Sequence, residues 1–184
     1  EPKPDALVSK DIDGNVLEYW DLSDEVAAGK TDITITRHFR FKAYETAYRV
    51  DAEKVGEYDT SDPVYRYYTR TQEFVELTPS VVELAREIVG DEDNPYYKAK
   101  RIYGWCVDNI AYKYPPNRGL RFCLPRRTGD CGSYSLIFVG LCRAVGVPAR
   151  VANGHWACKA KTNYHVWPEF YLVNYGWLPA DVTD

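Results

Sequence analysis

The spacing of hydrophobic residues changes period about 75 residues into the chain. In residues 32–41 apolar and polar positions alternate, with Ile33, Ile35, Phe39 and Phe41 on one face, the two-residue repeat of a half-buried strand. Residues 44–50 and 65–69 carry similar runs, separated by Gly56 and the turn-like Ser61-Asp62-Pro63. This pattern predicts a small β-rich region over residues 1–75. Beyond it the repeat lengthens to that of helices. Thr78-Pro79 reads as a cap followed by a proline in the first turn, and Val81, Leu84, Ala85 and Ile88 form a stripe that stops at Gly90. Asn94-Pro95 repeats the device ahead of Ala99, Ile102, Tyr103, Cys106, Val107 and Ile110. A Pro-, Gly- and Arg-rich stretch over 114–129 reads as a loop. The next helix, over 131–145, turns Tyr134, Ile137, Phe138, Leu141, Cys142 and Val145 to the core and ends at Gly146-Val147-Pro148. Residues 149–152, 164–174 and 177–181 then read as strands. The order predicts an α+β fold: helices packed on an antiparallel sheet over residues 76–184, after the β-rich segment.

Composition changes this picture little. The 184 residues are 45% hydrophobic and 27% charged, with formal net charge −4, an ordinary globular balance rich in tyrosine. No apolar run approaches the roughly 18 residues of a membrane span. The chain starts at Glu1 without Met and stops in what reads as an extended segment, so it is expected to be an excerpt of a longer protein, truncated in its catalytic core at the C-terminus.

Charge is divided unevenly. Residues 1–100 hold 22 acidic and 13 basic groups; residues 101–184 hold 5 and 10. Lys113, Arg118, Arg121, Arg126 and Arg127 follow one another with no acid between them. With an acidic total and no RNA-binding motif, nucleic acid is not an expected partner, and a solvated loop or one that steers anionic substrate fits better. Five cysteines, at 106, 123, 131, 142 and 158, include no CxxC pair, and three scattered histidines match no zinc spacing. No metal or other cofactor is expected.

An odd cysteine count leaves at least one thiol unpaired. Cys106 and Cys142 fall on helical core stripes, where a thiol is a small apolar residue. Cys131 does not. Asp130-Cys131-Gly132 puts it at a helix mouth between Gly129 and Gly132, with Asp130 able to cap the free amides. Helix N-termini favour anions, and Arg126 and Arg127 would add to the effect if they point inward. A nucleophilic thiol needs a base and the base an orienting acceptor. His165 on the strand 164–174 is the candidate base, while His38 and His155 read as surface or structural. Asp181 follows beyond a turn at Asn174-Tyr175-Gly176; counting through that turn places His165 nearer Asp184, and a bulge at Pro168 would shift the register, so both acids stay open.

Four blocks in order, Thr128 to Ser135, Leu141 to Arg150, His165 to Tyr171 and Gly176 to Asp181, resemble the transglutaminase-like superfamily over about residues 75–184. The resemblance implies a papain-like core with Cys131 as nucleophile, His165 as base and acid, and Asp181 as the orienting carboxylate, which selects Asp181 over Asp184. It implies acyl transfer from peptide or glutamine-type amides through a thioacyl enzyme, on a protein or peptide substrate. Water is the expected acceptor, since nothing identifies an amine site, and no calcium-binding loop is present. The Cys131 amide is a natural oxyanion donor; a second donor is not nameable from sequence. Trp156, Tyr164 and Trp167 are the candidate substrate-binding residues, although packing beneath the hairpin suits Trp167, like Trp177, at least as well. Glu169 reads as a structural partner. Cys123 and Cys158 flank the site, and a bridge between them would clamp it and imply an oxidising compartment; two free thiols are the other reading. The alternative function is a non-catalytic module that kept the fold, which the loss of Cys131, His165 or Asp181 would favour.

Overall fold

The computed structural model describes residues 6–8, 13–36, 38, 40–42, 44–157 and 162–183. Two compact units divide the chain, Glu1–Thr46 and Ala47–Asp184. In the first, β1 (Ala6–Val8) pairs antiparallel with β2 (Leu17–Tyr19) and is followed by α1 (Ser23–Ala27). The strands expected over 32–41 and 44–50 do not form among the described residues. Alternation marks a face that suits burial, but a strand also needs a neighbour for its backbone groups. Ile33, Ile35, Phe41, Tyr44 and Tyr48 accordingly remain exposed.

The second unit holds the core. After a 3-10 turn at Ala52–Lys54 come α2 (Pro63–Thr69), α3 (Pro79–Val89), α4 (Pro95–Asn109), β3 (Ala111–Tyr112), α5 (Leu120–Arg126), β4 (Thr128–Gly129), α6 (Cys131–Ala144), β5 (Ala149–Ala157), β6 (Thr162–Leu172) and β7 (Gly176–Pro179). Caps fix the starts of the long helices. The Thr78 hydroxyl accepts from the Val81 amide at 3.4 Å, Asn94 from Tyr96 at 3.0 Å and Asp130 from Ser133 at 3.0 Å, with Pro79 and Pro95 in first turns.

The sequence reading of 65–69 as a strand is overturned. Asp62 caps the Val64 amide at 2.7 Å, Pro63 supplies the first helical residue, and Tyr68 is buried edge-on to Trp177 with ring centres 4.7 Å apart. By chain contacts, residues 47–75 belong to the second unit. Arg143, buried near the end of α6, donates to the carbonyls of Ala149 (2.9 Å) and Arg70 (3.0 Å) and to Gln72 (3.0 Å). The Tyr58 hydroxyl reaches the Tyr171 carbonyl at 2.6 Å.

Sheet β5-β6-β7 is antiparallel and packs with α2 to α5 around α6. A helix enclosed this way buries more than one stripe: beside Ile137, Phe138, Leu141 and Cys142, the residues Ser133, Ser135, Val139 and Gly140 are also inside. Val145, read as part of the core stripe, is only partly buried against it. At Gly140 a Cβ would stand 2.6 Å from a Leu120 methyl, so α5 can lie directly on α6. None of the described helices is long and apolar enough to cross a membrane.

Candidate active site

Asp130 determines where the α6 backbone turns helical. In extended conformation and only 5% exposed, it accepts from the amide and the hydroxyl of Ser133, each at 3.0 Å, which leaves half-buried Cys131 as the first helical residue. The sulfur therefore projects from a turn whose amides have no partner inside the helix. The Ser135 hydroxyl donates to the Cys131 carbonyl at 2.8 Å.

Parallel pairing of β3 with β4 sets Tyr112 opposite Gly129, two residues before the cysteine. Its phenol lies close enough to Cys131 for the backbone and side chain of that residue both to bear on its ionisation. Although the residue is 64% exposed, loss of water around the hydroxyl, seconded by the charges of Cys131 and Asp130 and opposed by the Cys131 backbone, holds this phenol above its usual range. Sequence reading missed Tyr112 because its one signal is an aromatic just past the end of α4. Nothing in a linear pattern says that two-residue strand will pair with the segment entering α6.

His165 stands on β6 opposite Gly154, and its Nε2 meets Asp181 Oδ2 at 2.5 Å. Register explains the meeting. The β6–β7 ladder pairs Glu169 with Pro179, and the Ala180 amide still reaches the Pro168 carbonyl at 2.9 Å. Continuing that count sets Asp181 across from Trp167 and Thr183 across from His165, all on one face, so Asp181 is a diagonal neighbour of the imidazole. Of the two acids open in the sequence, the imidazole contacts Asp181; Asp184 lies outside the described residues. The carboxylate is held from its other side by Thr183, whose hydroxyl and amide donate to Oδ1 at 2.7 and 3.1 Å. Thr183 is a second site residue the sequence reading lacked.

Trp167 stacks against the imidazole, ring centres 6.1 Å apart and 27° from parallel. Tyr164 is 74% exposed, its ring 4.6 Å from that of the exposed His155. Trp156 pairs with Asn163 in the β5–β6 ladder, and its side chain is outside the described residues. Trp177 packs among Tyr68, Tyr171 and the Arg150 guanidinium, and Arg150 in turn donates to Glu169 at 2.8 Å. Cys123 is a buried free thiol directed at the Asn117 carbonyl, while Cys158 lies outside the described residues.

The arginines expected at the helix mouth are directed elsewhere: Arg126 donates to the Phe122 carbonyl at 2.9 Å, and Arg127 covers the Trp105 ring at 4.3 Å. The segment expected to be a loop folds as α5 and turns both away, and Arg118 takes their place beside Asp130. Among the described residues no group of three metal-ligating side chains comes together.

The sequence profile of the transglutaminase-like superfamily matches residues 82–182, more than half of the chain and the span that carries α6 and the three-stranded sheet. The chain belongs to the transglutaminase-like superfamily. Similar folds include a putative cysteine protease of Cytophaga hutchinsonii, 22% identical with a TM-score of 0.59 over 66% of this chain and 43% of that one. The periplasmic domain of TgpA from Pseudomonas aeruginosa is 24% identical with a TM-score of 0.56, over 66% of this chain and 49% of that one. An uncharacterized protein of Haemophilus influenzae is 27% identical over 160 residues, 65% of this chain and 42% of its own length. This transglutaminase-like chain thus spans less than half the length of each of these relatives. The α+β architecture expected from the sequence is the one found.

Proposed function

We propose that the protein is a thiol-dependent enzyme that cleaves peptide or glutamine-type amides through a thioacyl intermediate. In this reading Cys131 is nucleophile, His165 base and acid, and Asp181 orienter. The observation that carries it is the contact of His165 Nε2 with Asp181. A carboxylate acceptor holds the tautomer with a proton on Nε2, which leaves the Nδ1 lone pair to take a proton from a thiol.

Chain geometry supports the partnership with Cys131. The Tyr171 amide donates to the Pro148 carbonyl at 2.9 Å, which ties the far end of β6 to the segment just after α6. From that tie His165 lies six residues back along β6, about 20 Å at strand rise, and the fourteen-residue α6 runs back about 21 Å at helix rise. Strand and helix pack on each other, and these matched lengths support a meeting of His165 and Cys131 at one end of the unit.

The chemistry follows in two halves. The sulfur attacks the carbonyl carbon while its proton passes to Nδ1, and the oxyanion is received by the Cys131 amide and the Tyr112 hydroxyl, the donor that sequence alone did not name. Collapse expels ammonia or an amine, which takes the proton from the imidazolium and leaves a thioester. Water, deprotonated by His165, then releases the acid; an acceptor amine at the same step would give transamidation. Water is the favoured acceptor. Trp156, Tyr164 and Trp167 are the residues assigned to substrate, with Trp167 also screening the far face of the imidazole.

The test uses a peptide anilide and a glutamine peptide, the latter with and without a fluorescent primary amine, and mass spectrometry for a Cys131 acyl adduct. Cys131→Ala and His165→Ala should each lower turnover on the order of 10³-fold or more, and Tyr112→Phe about 10²-fold, chiefly in kcat. Turnover undiminished in Cys131→Ala would overturn the reading.

A further inference from the structure

Arg118 grips Asp130 with both prongs of its guanidinium, Nη1 at 2.8 Å from Oδ1 and Nη2 at 2.6 Å from Oδ2. The same Oδ1 takes the Ser133 amide and hydroxyl, so the carboxylate that starts α6 is shared between the helix and this one arginine. The guanidinium fills the space above Gly132, where a Cβ would stand 2.7 Å from Nη1, and lies 5.4 Å from the Tyr114 ring. It is 44% exposed, whereas the carboxylate it holds is 7% exposed.

Asp130 presents a difficulty that this arrangement resolves. A carboxylate is among the best caps for the first turn of a helix. One residue further on, however, is the sulfur that must become an anion, and a like charge so close opposes that. We propose that Arg118 is a positioning residue that cancels the charge of the Asp130 cap, so that α6 keeps a carboxylate at its mouth without repelling the Cys131 thiolate. The proposal rests on the reading of Cys131 as nucleophile. The other titratable or charged groups that face this sulfur are Tyr112 from β3 and, in that reading, His165 with Asp181 from the sheet side. None of them is altered by the variants below.

The experiment follows iodoacetamide alkylation of Cys131 against pH, assigned by peptide mapping, in the wild-type chain and four variants. Arg118→Gln leaves the cap charged and unpaired, so the pH of half-maximal alkylation should rise by about one unit. Asp130→Asn keeps the capping acceptor but leaves Arg118 as an unpaired cation beside the sulfur, and the midpoint should fall. The double variant carries neither charge and should return close to wild type. Arg118→Lys restores a positive charge and should recover most of the shift. In turnover, Arg118→Gln should lose roughly tenfold in kcat/KM near neutrality and regain it as pH rises.

A merely structural clamp would lower thermal stability without this alternation of sign. Should Arg118→Gln fail to fold, the comparison of Asp130→Asn with the double variant still decides, because adding Arg118→Gln to it must move the midpoint upward. Equal midpoints in all folded forms would overturn the role of Arg118 and leave the nucleophile assignment standing. Loss of selective Cys131 alkylation and of turnover in the wild type would instead overturn the catalytic reading itself.

Discussion

Burial pushes the Asp181 carboxyl upward, but the Thr183 hydroxyl, the His165 ring and the Thr183 amide together outweigh it and leave the group below its ordinary value of 3.8. A native value lower than the unfolded one contributes stability that is complete above the unfolded value and is lost as pH falls through the native one. Thr183→Val removes the 2.7 Å bond and should bring the carboxyl back toward the ordinary range. Urea unfolding should therefore show the variant less stable than wild type at neutral pH, with the difference fading below about pH 4. Because the imidazole loses a firmly held partner, kcat should drop several-fold with KM little changed. A difference that persisted unchanged at pH 3 would disprove this account. Residues of this kind were the least legible in the sequence. Cys131 could be singled out because a cap and two glycines surround it, and His165 by its aromatic strand, whereas Asp181 was chosen over Asp184 only through the family resemblance. Thr183, Tyr112 and Arg118 reach the site only through pairings between separate segments, and they carry no local mark.

At the scale of elements, legibility followed the caps. Thr78-Pro79, Asn94-Pro95 and Asp130 announced three helices to within a residue or two, since a side-chain acceptor and a fixed proline φ act locally. Asp62-Pro63 offered the same signal before α2, but the tyrosines after it favoured a strand by composition. Helix α5 had no cap to read: its preceding residue is Gly119, which makes no side-chain bond, and Pro125 lies inside it. Its place is set by tertiary contact, Leu120 lying wholly buried against the gap at Gly140. Gly140→Ala would normally favour a helix by up to about 1 kcal/mol. Here the new methyl meets a leucine that has nowhere to move, and we expect a net loss of about 1–3 kcal/mol in urea unfolding. Made in a Leu120→Ala background, Gly140→Ala should lose that penalty and become neutral or stabilising relative to Leu120→Ala alone; a stabilised single variant would refute the cause.

Over the whole molecule, the decisive question is how much of the chain the second unit needs. Residues 47–75 give it the Tyr58 bond to β6, the acceptors of Arg143 and fully buried Val75. A fragment of residues 47–184 should unfold in a single cooperative transition and keep its Cys131 alkylation, whereas one of residues 76–184 should not fold stably; circular dichroism and thermal melts distinguish them. Independent folding of the shorter fragment would argue for the boundary read from the sequence. The core also fixes how the other sulfurs behave. Cys106 on α4 and Cys142 on α6 are buried, as is Cys123 on α5. Burial pushes the Cys106 thiol up to about 12, against a smaller opposite pull from Arg127, and drives Cys142 well above its usual value. All three buried thiols stay out of reach of reagents for as long as the core is shut. The protein thus carries three internal timers: in a Cys158→Ser background, each slow uptake of label after the first records an opening of one particular wall, and their order gives the sequence in which the interior comes apart.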